Sequence, residues 1–345
     1  MSESSANRRI IVSERPRFSV PNTKVFGLDT APKPKPGDGE ILIRTTWLGI
    51  EPYLYGRLKA TSSQTTPVSL GDVMVGPTVG RVEISNRPDY AKGDMVQGFW
   101  GWQDYHVSDG SQVSKIDPDI PRPSYVLGAL GMSGFGAYVA VNEYLKVKRG
   151  ETLIFGAALG GLGQIVGQLG KMRGARTIGG VSGPQKVRYG EDVLGFDVCL
   201  DRKTKDFKAR CEQEFSRNGV DCYLMSATGG VLQLAMPHFN LHARIAACGV
   251  MSFYSGLELP PGPDQTMVVF NEINLKRISV HGLVTLDWAG TPLHIQFKKE
   301  MKGWIQGGQI KVVEHIVDGL ENAPDTLQGV FEGRNFGKAV GRLAD

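Results

Sequence analysis

Three small residues at a fixed spacing, Ala158, Gly160 and Gly163, stand between an apolar run and a helical one in LIFGAALGGLGQIVGQLGK, residues 153–171. The spacing is that of GxGxxG with alanine in the first place. Such a turn suits the pyrophosphate of a dinucleotide. The second glycine admits backbone close to phosphate, the third lets a helix pack on its strand, and the helix start offers N–H groups and a partial positive charge. Gly161 and Leu162 lie inside the same turn. A second group follows one strand later. Where an acid would hold a ribose hydroxyl, the chain reads VSGPQK, with Ser182 and Lys186, and Arg188 and Arg202 are nearby. A hydroxyl and a cation accept a 2′-phosphate that a carboxylate would repel, so the pattern favours NADP(H) over NAD(H). A lysine at a helix start is also a common solvated residue.

These groups need a particular scaffold. From residue 152 onward, apolar strand-like runs alternate with helical patterns: TLIFG (152–156), ARTIGGV (175–181), DVCL (197–200), DCYLM (221–225), ARIAACG (243–249) and ISVHGLV (278–284). Alternation at that spacing predicts an α/β fold with a doubly wound parallel sheet. The turn helix has one apolar face made by Leu162, Ile165, Val166, Leu169 and Met172. Before it the texture is β-rich. Residues 1–37 read as a polar start and a loop, leading into a strand at 40–45, and VGRVEIS, GDMVQGF and DYHVSD follow as short strands between turns. YVLGALGMSGFGAYVAV, 125–141, becomes helical toward its end, and the tail after residue 319 reads as a short helix and a final strand.

Bulk properties bound the function. A chain of 345 residues suggests two domains. A net charge of +4 without a basic block gives no case for nucleic acid. No apolar run reaches the ~18 residues of a membrane span, and the polar N-terminus lacks the apolar core of a signal peptide. Cys199, Cys211, Cys222 and Cys248 form no CxxC pair, which reads as reduced cytoplasmic thiols.

Several longer strings carry a resemblance: GIEPYLYGRL, LGMSGFGAYVA, FGAALGGLGQIVGQLGK, GGVSGPQKV, ARIAACGVMSFYSG, LPPGPDQ and DGLENAPDTLQGVFEGRNFGKAV. From about Val20 to its C-terminus the chain resembles the zinc-independent branch of the medium-chain dehydrogenase/reductase superfamily. Within that branch it is similar to the NADPH-dependent alkenal/enone reductases. The resemblance implies a GroES-like β-rich substrate domain (1–130 and 312–345), a Rossmann NADP-binding domain (131–311) and a cleft between them. No metal is implied. Gly49-Ile50-Glu51-Pro52 and Gly76-Pro77 stand where zinc-dependent relatives place ligands, no cysteine precedes Cys199, and His106 reads as a strand histidine.

The implied reaction is reduction of a small α,β-unsaturated ketone or aldehyde, with hydride going to the β-carbon. Negative charge then gathers on the carbonyl oxygen, where a neutral tyrosine suits as donor. The resemblance puts Tyr254 of GVMSFYSG in that place, with packing as its other reading. Tyr53 of EPYLYGR lines the pocket or a domain interface. Asn335 of RNFGK matches a cofactor-reaching position, or is a left-handed turn residue beside glycine. Gly249 and Val250 pass the chain beside the nicotinamide, Cys248 before them is a further cofactor-binding candidate, and Met132, Ser133 and Gly134 resemble the segment near the nicotinamide phosphate. Two departures stand out. LMSATGG lacks the usual asparagine, which leaves Ser226 or Thr228 as substitute, Ser226 being the cofactor-contact candidate. LDRKT lacks an aromatic on the adenine side, where Arg202 can stack and also pair with the 2′-phosphate. A quinone reductase of the zeta-crystallin type and a non-catalytic NADPH-binding protein are the competing functions. RISVHGLV, 277–284, reads as an exposed edge strand that family members pair across a two-fold axis, so a homodimer is expected. TSSQTTPVSLGD, 61–72, reads as a lid or an ordinary surface loop.

Overall fold

Ile10 and Val12 are buried two apart along ANRRIIV while Arg8 and Arg9 stay half-exposed, and the segment forms a strand. In the computed structural model, which describes residues 6–16, 22–59, 66–226, 229–249 and 266–344, β1 (Ala6–Val12) pairs antiparallel with β2 (Phe26–Pro32). This corrects the expectation of a polar start and a loop. Arg8 bonds Asp104 at 2.8 Å, and Arg9 pairs with Asp29, so charges that read as solvated hold the strand in place. The next strand is longer than the 40–45 expected: β3 spans Ile41–Gly49. It is followed by β4 (Thr78–Ser85), β5 (Met95–Gly98), β6 (Tyr105–Ser108) and β7 (Ser114–Lys115). His106 lies on β6 with its ring stacked on Trp100.

The chain then forms α1 (Met132–Val139), which runs into a π-helical turn at Ala140–Tyr144. Six parallel strands follow: β8 (Thr152–Phe155), β9 (Arg176–Val181), β10 (Val198–Asp201), β11 (Val220–Met225), β12 (Phe239–Ala247) and β13 (Ser279–Gly282). Between them lie α2 (Gly163–Met172), α3 (Pro184–Arg188), α4 (Phe207–Ser216), α5 (Gly229–Ala235) and α6 (Thr266–Lys276), and α7 (Pro292–Gln306) comes after the last strand. The order is β10-β9-β8-β11-β12-β13. Chain direction across the sheet reverses between β8 and β11, and open α/β sheets bind ligands at the strand C-termini beside such a switch. β8 is buried at every position, as a central parallel strand must be. β13 is an edge, with exposed residues throughout.

The last elements are β14 (Glu314–Asp318), α8 (Ala323–Glu332) and β15 (Lys338–Arg342). Among the described residues, a seven-stranded sheet runs β14-β15-β3-β4-β5-β7 with β6 on β3, so the C-terminal strand completes the N-terminal sheet. Val340 pairs with Gly49 there. The chain divides into two compact units, one from Met1–Gly131 with Glu314–Asp345, the other from residues between Met132 and Val313. The core of the first includes Leu54, Tyr55, Trp102 and Leu327; that of the second includes Ile154, Phe215, Tyr223 and Ile245. No helix among the described residues is long and apolar enough to cross a membrane.

Candidate functional site

In the parallel-sheet unit, the candidate residues gather at one edge because each follows the C-terminal end of a strand. Ala158 to Gly163 follow β8, Ser182 and Lys186 follow β9, Arg202 follows β10, Ser226 follows β11, and Cys248 and Gly249 follow β12. The turn after β8 is tight. Ala157 is held in left-handed backbone at φ 47, a conformation that costs an alanine about 1–2 kcal/mol. Gly160 N–H closes onto Ala157 O at 2.7 Å, and Ala158 N–H bonds Gly180 O at 3.0 Å, tying the turn to β9. A Cβ on Gly163 would sit 2.4 Å from Ala157 O, so only glycine lets α2 start this close to the turn. No side chain caps α2, and the Gln164 N–H turns back to Gly160 O at 3.1 Å.

The neighbouring loops are built around Asp201. This buried carboxylate accepts N–H bonds from Gly183 at 2.8 Å and from Lys203 at 3.0 Å. Gly183 has φ 103, open to glycine at little cost. Asp201 is thereby turned to backbone, and the cations are left to define the surface charge. Lys186 Nζ lies 3.2 Å from Ser182 Oγ. Burial, followed by the charges of Arg202 and Lys203, pushes the Lys186 ammonium down to about 8, against the pull of Asp201. An uncapped helix start, a glycine cradle and three crowded cations fit a dinucleotide bearing a 2′-phosphate. Burial pushes the Cys248 thiol up to about 11, which favours its protonated form.

The other unit holds Tyr53 and Asn335. Tyr53 follows Glu51 and Pro52 at the start of a 3₁₀ helix, Pro52–Leu58, and is 39% exposed. Asn335 donates to Gly337 O at 2.7 Å, and the left-handed residue of that turn is Gly337 (φ 105), which corrects the alternative of a left-handed asparagine. Tyr254, Val250 and Thr228 lie outside the described residues, as do 61–65 of the 61–72 segment.

Three contributions escaped the sequence. Asp201 is an acid just past the expected end of a strand, in LDRKT, where the sequence alone does not show that it faces backbone. Lys338 was a lysine inside the apolar run FGKAV. Alanine carries no local signal for the left-handed state of Ala157.

Residues 8–116 match the family described as the N-terminal domain of oxidoreductase, and residues 161–300 match the family described as zinc-binding dehydrogenase. Among the described residues no group of three or more His, Cys, Asp or Glu is placed to hold a metal. The chain is 42% identical to the NADPH-dependent curcumin reductase of Escherichia coli over 98% of its own length and 97% of that protein. It belongs to the NADPH-dependent alkenal/enone reductases of the medium-chain dehydrogenase/reductase superfamily. Among other members it is 31% identical to the NADP(+)-dependent 2-alkenal reductase of Nicotiana tabacum, over 99% of this chain and 98% of that one. The crystal structure of CurA from Vibrio vulnificus in complex with NADPH superposes with a TM-score of 0.93 at 39% identity, covering 98% of this chain and 99% of that one. The GroES-like and Rossmann architecture of this reductase family is thus the fold of this chain.

Proposed function

We propose that the protein reduces the carbon–carbon double bond of α,β-unsaturated ketones and aldehydes with NADPH. Family membership supports an NADP-dependent oxidoreductase. The observation that carries the cofactor reading is Lys186 held 3.2 Å from Ser182 beside Arg202 and Lys203, at the sheet edge that also carries the glycine turn. The names of the curcumin and 2-alkenal reductases support the substrate class.

NADPH, when bound, supplies a hydride to the β-carbon. The protein's work is positional and electrostatic. The α2 start and the glycine turn hold pyrophosphate; Ser182, Lys186 and Arg202 hold the 2′-phosphate; Cys248 and Gly249 border the nicotinamide, with Ser226 and Asn335 as further contacts. Tyr254 donates a hydrogen bond to the carbonyl oxygen as it gains charge, alone or with a ribose hydroxyl, Tyr53 lines the substrate side, and the α-carbon of the enolate then takes a proton from solvent water to give the saturated carbonyl. No zinc is required, since Gly49–Pro52 and Gly76–Pro77 offer no thiolate or imidazole. The substrate-side unit is assigned to 1–130 and 312–345 and the cofactor unit to 131–311.

Two copies pair along β13. Its edge carries half-exposed Val280, and α6 exposes Met267 and Phe270. A solution mass of twice 37.5 kDa is expected, and a monomer overturns the pairing.

The deciding experiment follows NADPH oxidation with an enal, an aryl enone, a diarylheptanoid dienone, a quinone and a simple ketone, each repeated with NADH. Turnover of the enones with NADPH, giving the saturated carbonyl, supports the proposal. Activity confined to the quinone makes the protein a quinone reductase. NADPH binding without turnover makes it a non-catalytic binding protein.

A further inference from the structure

Lys338 is a buried ammonium with two carbonyl acceptors and one carboxylate partner. Its Nζ donates to Ile50 O at 3.0 Å and Ala339 O at 3.2 Å, and lies 3.3 Å from Glu51 Oε1. Side-chain exposure is 5% for Lys338 and 8% for Glu51. The lysine comes from β15 and grips the end of the β3 segment from 288 residues away in sequence. What it grips is the dipeptide immediately before Pro52 and Tyr53. Glu51 precedes the 3₁₀ helix that carries Tyr53, and Leu54 N–H returns to Glu51 O at 3.1 Å. The lysine stem passes over Gly128, where a Cβ would meet Lys338 Cγ at 3.1 Å. Glu314, the register partner of Lys338 on β14, turns to Ser124 at 2.8 Å and Arg122 at 3.4 Å instead. The short carboxylate contact of Lys338 is therefore with Glu51.

A pair this buried adds little net stability over an apolar pair of the same volume. What it does add is direction. Two carbonyl acceptors and one carboxylate partner surround the ammonium, which ties the carbonyl of Ile50 and the carboxylate of Glu51 to β15. We infer that Lys338 and Glu51 are positioning residues for Tyr53, setting the angle at which its phenol meets an enone. The inference rests on the reading of Tyr53 as a substrate-side residue.

The test uses the full-length protein with 3-fluorotyrosine at position 53 and compares wild type with Lys338→Met, each also made with Tyr53→Ala for kinetics. Lys338→Met is expected to raise KM for an aryl enone by about tenfold, leave NADPH affinity within about twofold, and shift or broaden the fluorine resonance. In the Tyr53→Ala background it should raise KM no further. Should Lys338→Met fail to fold, the Glu51→Gln/Lys338→Met double variant, which leaves no unpaired charge, gives the same comparison. An unchanged fluorine resonance, or an equal rise in KM with Tyr53 removed, overturns the inference. If Tyr53→Ala alone leaves KM unchanged, the substrate-side reading of Tyr53 falls, and the fluorine resonance by itself decides whether Lys338 positions the tyrosine.

Discussion

The Asp201 carboxylate accepts the Gly183 N–H at 2.8 Å, so the acid at the end of β10 holds the loop that ends β9. With Lys203 N–H on the same oxygen at 3.0 Å, one buried group sets the path of both loops beside Lys186. Asp201→Ala leaves two amides without their acceptor. It is expected to lower stability by about 1–3 kcal/mol and to weaken NADPH more than NADH, because the loop bearing Ser182 and Lys186 loses its anchor. Chemical denaturation and cofactor titration check this; equal weakening of both cofactors speaks against it.

Lys186→Gln should weaken NADPH about 10–100-fold, the worth of one charged hydrogen bond to phosphate, and leave NADH nearly unchanged. The pH dependence follows from its pKa of about 8. A phosphate dianion favours the protonated amine, so NADPH affinity should hold below that pH and fall as pH rises through it. NADH affinity should show no such step. Without cofactor, the folded state binds this proton less tightly than the unfolded state, so the penalty on folding is present below pH ~8 and is relieved as pH rises toward the ordinary lysine value. Fluorescence titration of both cofactors from pH 6 to pH 10 (about two units either side of that value) reads the step, which the variant should lack.

Gln164 and Gln168 clamp the segment before β14 in both directions. Gln164 donates to Val313 O at 3.0 Å and accepts from Val313 N–H at 2.8 Å, and Gln168 does the same with Lys311 at 2.9 and 2.8 Å. Both side chains are buried, so Gln164→Leu strands a backbone donor and acceptor at a cost of about 2–4 kcal/mol. Urea denaturation measures it; a loss below about 1 kcal/mol would show that water replaces the amide.

Tyr254→Phe removes the proposed donor to the carbonyl oxygen without changing the cofactor edge. Turnover of enones is expected to fall about 100-fold while NADPH affinity stays level. Unchanged kcat removes this tyrosine from the chemistry.

Local pattern was enough for much of this protein. The glycine spacing located the turn after β8, apolar periodicity located α2, and the run of strands in the second unit was readable because each buried strand is a short apolar word between turns. Boundaries were less secure. β3 extends to Gly49 because β15 pairs with its far end, a partner that no local window contains. The β1–β2 pair was missed because Arg8 and Arg9 made a half-buried strand look like a polar leader.

Residue types and spacing by themselves determined that a glycine-spaced turn joins a strand to a helix and that a hydroxyl and a cation stand where an acid would follow it. Those features are encoded within a dozen residues, where backbone geometry follows from the sequence itself. Only the tertiary structure decided that Asp201 faces Gly183 rather than a ligand, that Ala157 is left-handed, and that Lys338 meets Glu51. Each depends on strands distant in sequence being brought side by side, and the energy of burying a charge or straining a backbone is settled only by what the fold places around it.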